Sequence, residues 1–195
     1  MKVLITGSNG LLGQKLVHKL RIDESVELIA TSKGENRISE KIGYNYTAFT
    51  PGRKIMICPP SEKVMLLWGQ PDPEVWVENT KKELQKYTDR PVEIRLKPNR
   101  SERISTKPLE AALADDVYCL ITYNSIAALE ALMFGVPAIA LGPNCATALC
   151  NTDLAEINNL NKPTEDEMYA LMKHLSYCQF TRDEMMNGYA WEMVK

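Results

Sequence analysis

A short apolar strand running straight into three evenly spaced glycines constrains this chain more than any other feature. Lys2–Thr6 is rich in β-branched residues, and Gly7, Gly10 and Gly13 follow it. Leu12, Leu16, Val17 and Leu20 then fall on one face of a helix, and residues 26–31 form a second apolar strand. Strand, glycine turn, helix and strand in that order imply two parallel strands joined by a crossover helix. The first glycine allows a tight turn, the second lets backbone approach a pyrophosphate, and the third lets helix pack on strand. Free N–H groups at Gly7, Asn9, Gly10, Leu11, Leu12 and Gly13, with the positive helix end, would hold the phosphates. The pattern stops near Thr50, and a different kind of unit follows.

The motif Val3-Leu4-Ile5-Thr6-Gly7-Ser8-Asn9-Gly10-Leu11-Leu12-Gly13-Gln14, with Ala30-Thr31-Ser32-Lys33-Gly34-Glu35-Asn36-Arg37, resembles the extended short-chain dehydrogenase/reductases. The likeness is to the dTDP-4-dehydrorhamnose reductase branch and covers residues 1–49. It implies a bound dinucleotide. Thr31, Ser32, Lys33 and Arg37 stand where an acidic residue would hold the ribose of NAD, and they suit the 2′-phosphate of NADP. Catalysis in that family needs a Tyr-x-x-x-Lys pair. Tyr169-x-x-x-Lys173 matches in spacing alone, inside a helix capped at Thr164, so packing explains it better.

From Lys54 onward, strands alternate with helices: strands at residues 54–58, 91–96, 117–122 and 137–141, helices at 108–114 and 125–134. Asp72-Pro73 reads as cap and first residue of another helix, with Trp76, Thr80, Leu84 and Tyr87 on one stripe. Gly135 closes the helix before it. Residues 44–49 read as a weaker strand, and Thr50-Pro51-Gly52-Arg53 as the junction between residues 1–50 and 51–195. The tail is helical: Thr164-x-x-Glu167 and Thr181-x-x-Glu184 both match the capping box. Its methionine-rich stripes, Met168 and Met172, then Met185, Met186 and Met193, read as core packing. The expected fold class is α/β: a Rossmann-like parallel sheet with helices on both faces and a helical C-terminal tail.

Ligands of such sheets sit beyond the carboxyl ends of the strands, which selects the loops at residues 7–13, 31–33, 58–61, 96–100, 123–125 and 142–144. Three segments of the later unit carry a second resemblance. They are Ile94-Arg95-Leu96-Lys97-Pro98, then 120–132 with Asn124-Ser125-Ile126-Ala127-Ala128-Leu129-Glu130, then Gly135-Val136-Pro137. Residues 52–195 resemble the donor-binding half of GT-B-type glycosyltransferases, including uncharacterised phage proteins and capsule polysaccharide transferases. The likeness implies a nucleotide-sugar site at Arg95, Lys97, Asn124, Ser125 and Glu130, with no bound metal. Independently of it, Ser125 suits a helix cap near a phosphate, and Arg95 or Lys97 could neutralise a leaving diphosphate. Glu130 lies in an apolar segment, where an unpaired carboxylate is costly. A ribose would satisfy it, as the resemblance implies. Taken alone, Ser125 is as well explained by capping. No catalytic residue stands out, and a transferase would need its acceptor side from a second subunit or oligomer.

Composition narrows the partners. A net charge of −2 gives no footprint for nucleic acid or an anionic membrane. Between Val117 and Gly142 only Glu130 is charged, but Asn124-Ser125 and Gly135-Val136-Pro137 break the run into strand, helix and strand. Five cysteines without a CxxC pair, and two histidines without metal spacing, suggest reduced thiols, a cytoplasmic setting and no metal site. Three readings stay open: a UDP- or dTDP-sugar-binding, glycosyltransferase-like protein; an NADP-dependent sugar-nucleotide reductase or epimerase; and a non-catalytic fusion or truncated product.

Overall fold

The computed structural model describes residues 2–6, 27–31, 46–97, 107–178 and 182–194. The chain divides into two compact units, Asn45–Leu171 and Met1–Tyr44 with Met172–Lys195. In the second of these, β1 (Lys2–Thr6) and β2 (Glu27–Thr31) pair in parallel, Val3 against Leu28 and Ile5 against Ala30. The glycine turn and crossover helix expected between them lie outside the described residues. The helices α6 (Arg182–Met186) and α7 (Tyr189–Val194) belong to the same unit. Met185 and Met186 are exposed there, against the expectation of core packing. A helix ending after five residues carries its stripe through little more than one turn. Thr181 lies outside the described residues.

The unit Asn45–Leu171 is an α/β, Rossmann-like sheet of four parallel strands in the order β4-β3-β5-β6. They are β3 (Lys54–Ile57), β4 (Val92–Ile94), β5 (Val117–Thr122) and β6 (Ala138–Ala140). Between β3 and β4 come α1 (Glu62–Leu67) and α2 (Pro73–Leu84); α3 (Leu109–Leu113) precedes β5, and α4 (Ala127–Met133) joins β5 to β6. A 3₁₀ turn, Leu154–Asn158, and α5 (Glu165–Cys178) follow.

Because side chains alternate along a strand, the buried sheet supplies two apolar faces. Ile55, Ile57, Cys119, Ile121 and Ile139 meet Met65 of α1, Trp76, Val77 and Leu84 of α2, and Ile157. Met56, Leu120 and Ala138 point the other way, where α4 packs on β5 and β6 beside α3. Ala128 and Ala131 are fully buried and small, which lets α4 lie close to the strands. The chain steps from β3 out to β4, then back across β3 to β5. Right-handed crossovers put the connecting helices of such a reversal on opposite faces, as observed.

Local signals hold these elements in place. Asp72 accepts the Glu74 N–H at 2.9 Å, with Pro73 at the start of α2. Trp76, Thr80 and Leu84 are buried along its stripe, whereas Tyr87, beyond the helix end, is exposed. Gly135 ends α4 at φ +71°. The Val136 N–H donates to the Ala131 carbonyl and the Gly135 N–H to that of Leu132, a Schellman motif. Residues 46–49 are not a strand. Residues 44–45 of the expected strand lie outside the described residues; the rest is held by single bonds, the Tyr46 hydroxyl to the Pro163 carbonyl and the following Thr50 N–H to the Gly135 carbonyl.

The capping box at α5 is formed: Glu167 accepts from the Thr164 N–H at 2.7 Å, and the Thr164 hydroxyl accepts from the Glu167 N–H at 3.4 Å. Replacing Thr164 by alanine should cost about 1 kcal/mol, read from the unfolding midpoint. The Thr164 N–H, then its hydroxyl, hold the Glu167 carboxyl below the usual glutamate range. A lowered folded-state value means stabilisation that is present above the ordinary glutamate pKa and lost as pH falls through the folded one. Alanine keeps the N–H and loses the hydroxyl, so only the hydroxyl's share of the T164A penalty should shrink on acidification below about pH 4.

Candidate functional site

The reversal of strand order between β3 and β5 opens a crevice beyond their carboxyl ends, where open α/β sheets place ligands. Its floor is tied down by two bonds. The Cys58 N–H donates to the Ile121 carbonyl at 2.8 Å, and the buried Thr122 hydroxyl donates to the Cys58 carbonyl at 2.6 Å. Above this floor lies a cavity of about 550 Å³ lined by the ends of β3, β4 and β5 and the starts of α1, α3 and α4.

Arg95, Lys97, Asn124, Ser125 and Glu130, separated by up to 35 positions in sequence, all line this one cavity. Among the described residues, three cations, Arg95, Lys97 and Lys107, share it with one carboxylate, Glu130. Pro59, Pro60, Val64, Leu109 and Ile126 give it an apolar wall. The Arg95 guanidinium donates to the Lys107 carbonyl, which joins the two basic segments. Its remaining N–H donors are available to an anion. Lys107 is held at 3.8 Å from Asp115, a carboxylate that Lys54 already bonds at 3.1 Å.

The Ser125 hydroxyl accepts the Ala127 N–H at 3.3 Å, so it shapes the turn into α4. The helix begins at Ala127, two residues later than its sequence suggests. The Ser125 carbonyl accepts from the Asn144 amide at 2.7 Å, and Asn144 also accepts the Ala146 N–H at 2.9 Å. The loop after β6 thus braces the loop after β5 without lining the cavity itself. Glu130 is half-buried, and among the described residues no hydrogen bond or ion pair reaches its carboxylate.

Among the described residues, Cys58 is the one thiol in the cavity wall. Burial pushes it up to about 12, with Arg95 opposing and Glu130 adding to the shift. It is therefore a protonated, unreactive surface at neutral pH. Among the described residues, no group of three or more His, Cys, Asp or Glu could hold a metal ion, and no helix is long and apolar enough to cross a membrane.

Of the dinucleotide residues expected from the sequence, Thr31 is the last of β2, and Gly7, Asn9, Gly10, Leu11, Leu12, Gly13, Ser32, Lys33 and Arg37 lie outside the described residues. Tyr169 and Lys173 both fall on α5 and do not line the crevice. Lys107, Val64 and Leu109 are cavity residues that sequence reasoning missed. Pro108 marks a helix start beside Lys107, but nothing in the spacing ties Lys107 to the crevice. Compared with known protein families, curated proteins and solved structures, the chain finds no significant match.

Proposed function

We propose that the unit Asn45–Leu171 binds a nucleotide-linked sugar and handles it as the donor half of a glycosyltransferase does. The convergence of Arg95, Lys97, Asn124, Ser125 and Glu130 on one cavity at the strand-order reversal carries this reading. The diphosphate lies against Arg95, Lys97 and Lys107, whose charge favours a departing nucleoside diphosphate in glycosyl transfer. Glu130 accepts from the ribose hydroxyls, and the base rests on the apolar wall of Pro59, Pro60 and Val64. Asn144 holds the Asn124-Ser125 turn in position. The acceptor and its base come from elsewhere, a second subunit or oligomer included.

A second reading rests on the parallel pairing of β1 with β2, the arrangement that a dinucleotide turn at Gly7-x-x-Gly10-x-x-Gly13 requires. It makes NADP the ligand, and a reductase or epimerase the activity.

Thermal unfolding of the full chain separates the two. UDP- or dTDP-sugars at a hundredfold excess over Kd should raise the midpoint by roughly 5–11 °C, and NADPH should leave it in place. A shift with NADPH alone would favour the reductase reading. No shift with any nucleotide sugar would overturn the donor-site reading.

A further inference from the structure

β4 is an edge of the four-stranded sheet, and its outer side pairs with nothing among the described residues. The other edge is covered: the Asn151 N–H donates to the Ala138 carbonyl at 3.2 Å, and the Ala140 N–H to that of Asn151 at 2.9 Å. The ladder on the inner side of β4 fixes which of its backbone groups are left over. The Ile55 N–H donates to the Pro91 carbonyl at 2.8 Å and the Arg95 N–H to that of Ile57 at 2.9 Å. Residues 91, 93 and 95 therefore turn their backbone inward, and Val92, Ile94 and Leu96 turn theirs outward. Those three also carry exposed apolar side chains, at 36, 41 and 65%.

Along Val92-Glu93-Ile94-Arg95-Leu96 the order is apolar, acid, apolar, base, apolar. That order is its own antiparallel complement. Rotated about a two-fold axis through Ile94, Val92 faces the partner's Leu96, Glu93 faces the partner's Arg95, and Ile94 faces the partner's Ile94. The outward backbone groups at 92, 94 and 96 then fall at the hydrogen-bonded positions of an antiparallel ladder. Glu93 and the partner's Arg95 fall at the non-bonded positions, where side chains come closest and opposite charges stabilise the pair. Glu93 bonds Lys54 at 2.7 Å and is still 46% exposed, so a second cation can reach it. An unrelated extended peptide would find the same backbone groups but not the matched charges.

We infer that two copies of this chain associate through β4, edge to edge and antiparallel, as an isologous two-fold dimer. The two four-stranded sheets become one, with the crevices opening at opposite ends of it. Arg95 then serves both the crevice, through its bond to the Lys107 carbonyl, and the partner's Glu93, so Arg95→Glu is expected to weaken ligand binding as well as self-association, whereas Ile94→Lys touches the edge alone.

Sedimentation equilibrium of the full chain across a concentration series tests it. The expected mass rises with concentration toward twice the 22.0 kDa of one chain. Ile94→Lys places two ammonium groups at the axis and should weaken the dimer at least about tenfold. Glu93→Arg and Arg95→Glu should each weaken self-association, and an equal mixture of the two should recover a mixed dimer, because an all-basic strand then meets an all-acidic one. Melting curves establish that each variant is folded. A monomer at every concentration, a dimer that Ile94→Lys leaves intact, or no recovery on mixing would each overturn the proposal.

Discussion

Replacing Glu130 by alanine should weaken nucleotide-sugar binding about 10- to 150-fold while leaving the unfolding free energy within about 0.5 kcal/mol. The two halves of that expectation come from one observation. The carboxylate lines the cavity, half-buried, and no hydrogen bond or ion pair within the protein reaches it among the described residues. A residue held for the fold would lose partners on truncation and the protein would melt earlier. A residue held for a ligand loses nothing until the ligand arrives. The affinity loss corresponds to charge-assisted hydrogen bonds from a ribose, worth about 1.5–3 kcal/mol. Glu130→Gln keeps an acceptor oxygen without the charge and should fall between wild type and alanine. Titration calorimetry alongside denaturant unfolding reads both quantities; unchanged affinity would remove Glu130 from the site, and a large stability loss would give it a structural role instead.

Gly52→Ala should be the most damaging single methyl group in the unit Asn45–Leu171, costing about 3 kcal/mol and lowering the midpoint by roughly 10 °C. A Cβ there would overlap the backbone carbonyl of Val117 and crowd the Tyr118 nitrogen at 2.5 Å. Neither side can retreat. The Arg53 and Lys54 N–H groups both donate to the Asp116 carbonyl, at 3.0 and 3.1 Å, which pins the start of β3 to the start of β5. Arg90 adds a bond to the Gly52 carbonyl at 3.3 Å while stacking on the Tyr118 ring at 3.6 Å. These are the two central strands of the sheet, and the crevice lies at their far ends, so the variant should lose ligand binding only as it loses fold. Thermal and urea unfolding check this, and a change below about 0.5 kcal/mol would contradict it.

The contrast between these residues marks what the sequence could disclose. Elements with a strong local cause were legible: the Asp72-Pro73 start of α2, the Thr164 capping box and the Gly135 stop all form as their residue types require. The apolar runs of β3, β5 and β6 were legible because a parallel sheet buries both faces of its strands. Element ends were less so. Ser125 looks like the cap of α4, yet its hydroxyl closes a turn one step earlier, and Asn144 bonds its carbonyl from another loop. The exposure of Met185 and Met186 was hidden for a related reason: spacing shows a stripe but not whether anything covers it. Within the site, Arg95 and Lys97 announced themselves by standing at a strand end. Lys107 did not, because its place depends on the Arg95 bond to its carbonyl rather than on any spacing. Gly52 gave no sign at all, since its constraint is a neighbour 65 positions away.

Amide chemical-shift mapping of the full chain during titration with a nucleoside-diphosphate sugar is the most direct test of the site. The account predicts that the shifted amides cluster at Cys58, Ser61 and Val64, at Leu96 and Lys97, and from Asn124 to Glu130, the walls of one crevice. Shifts confined to residues 7–13, or none at saturating ligand, would contradict it.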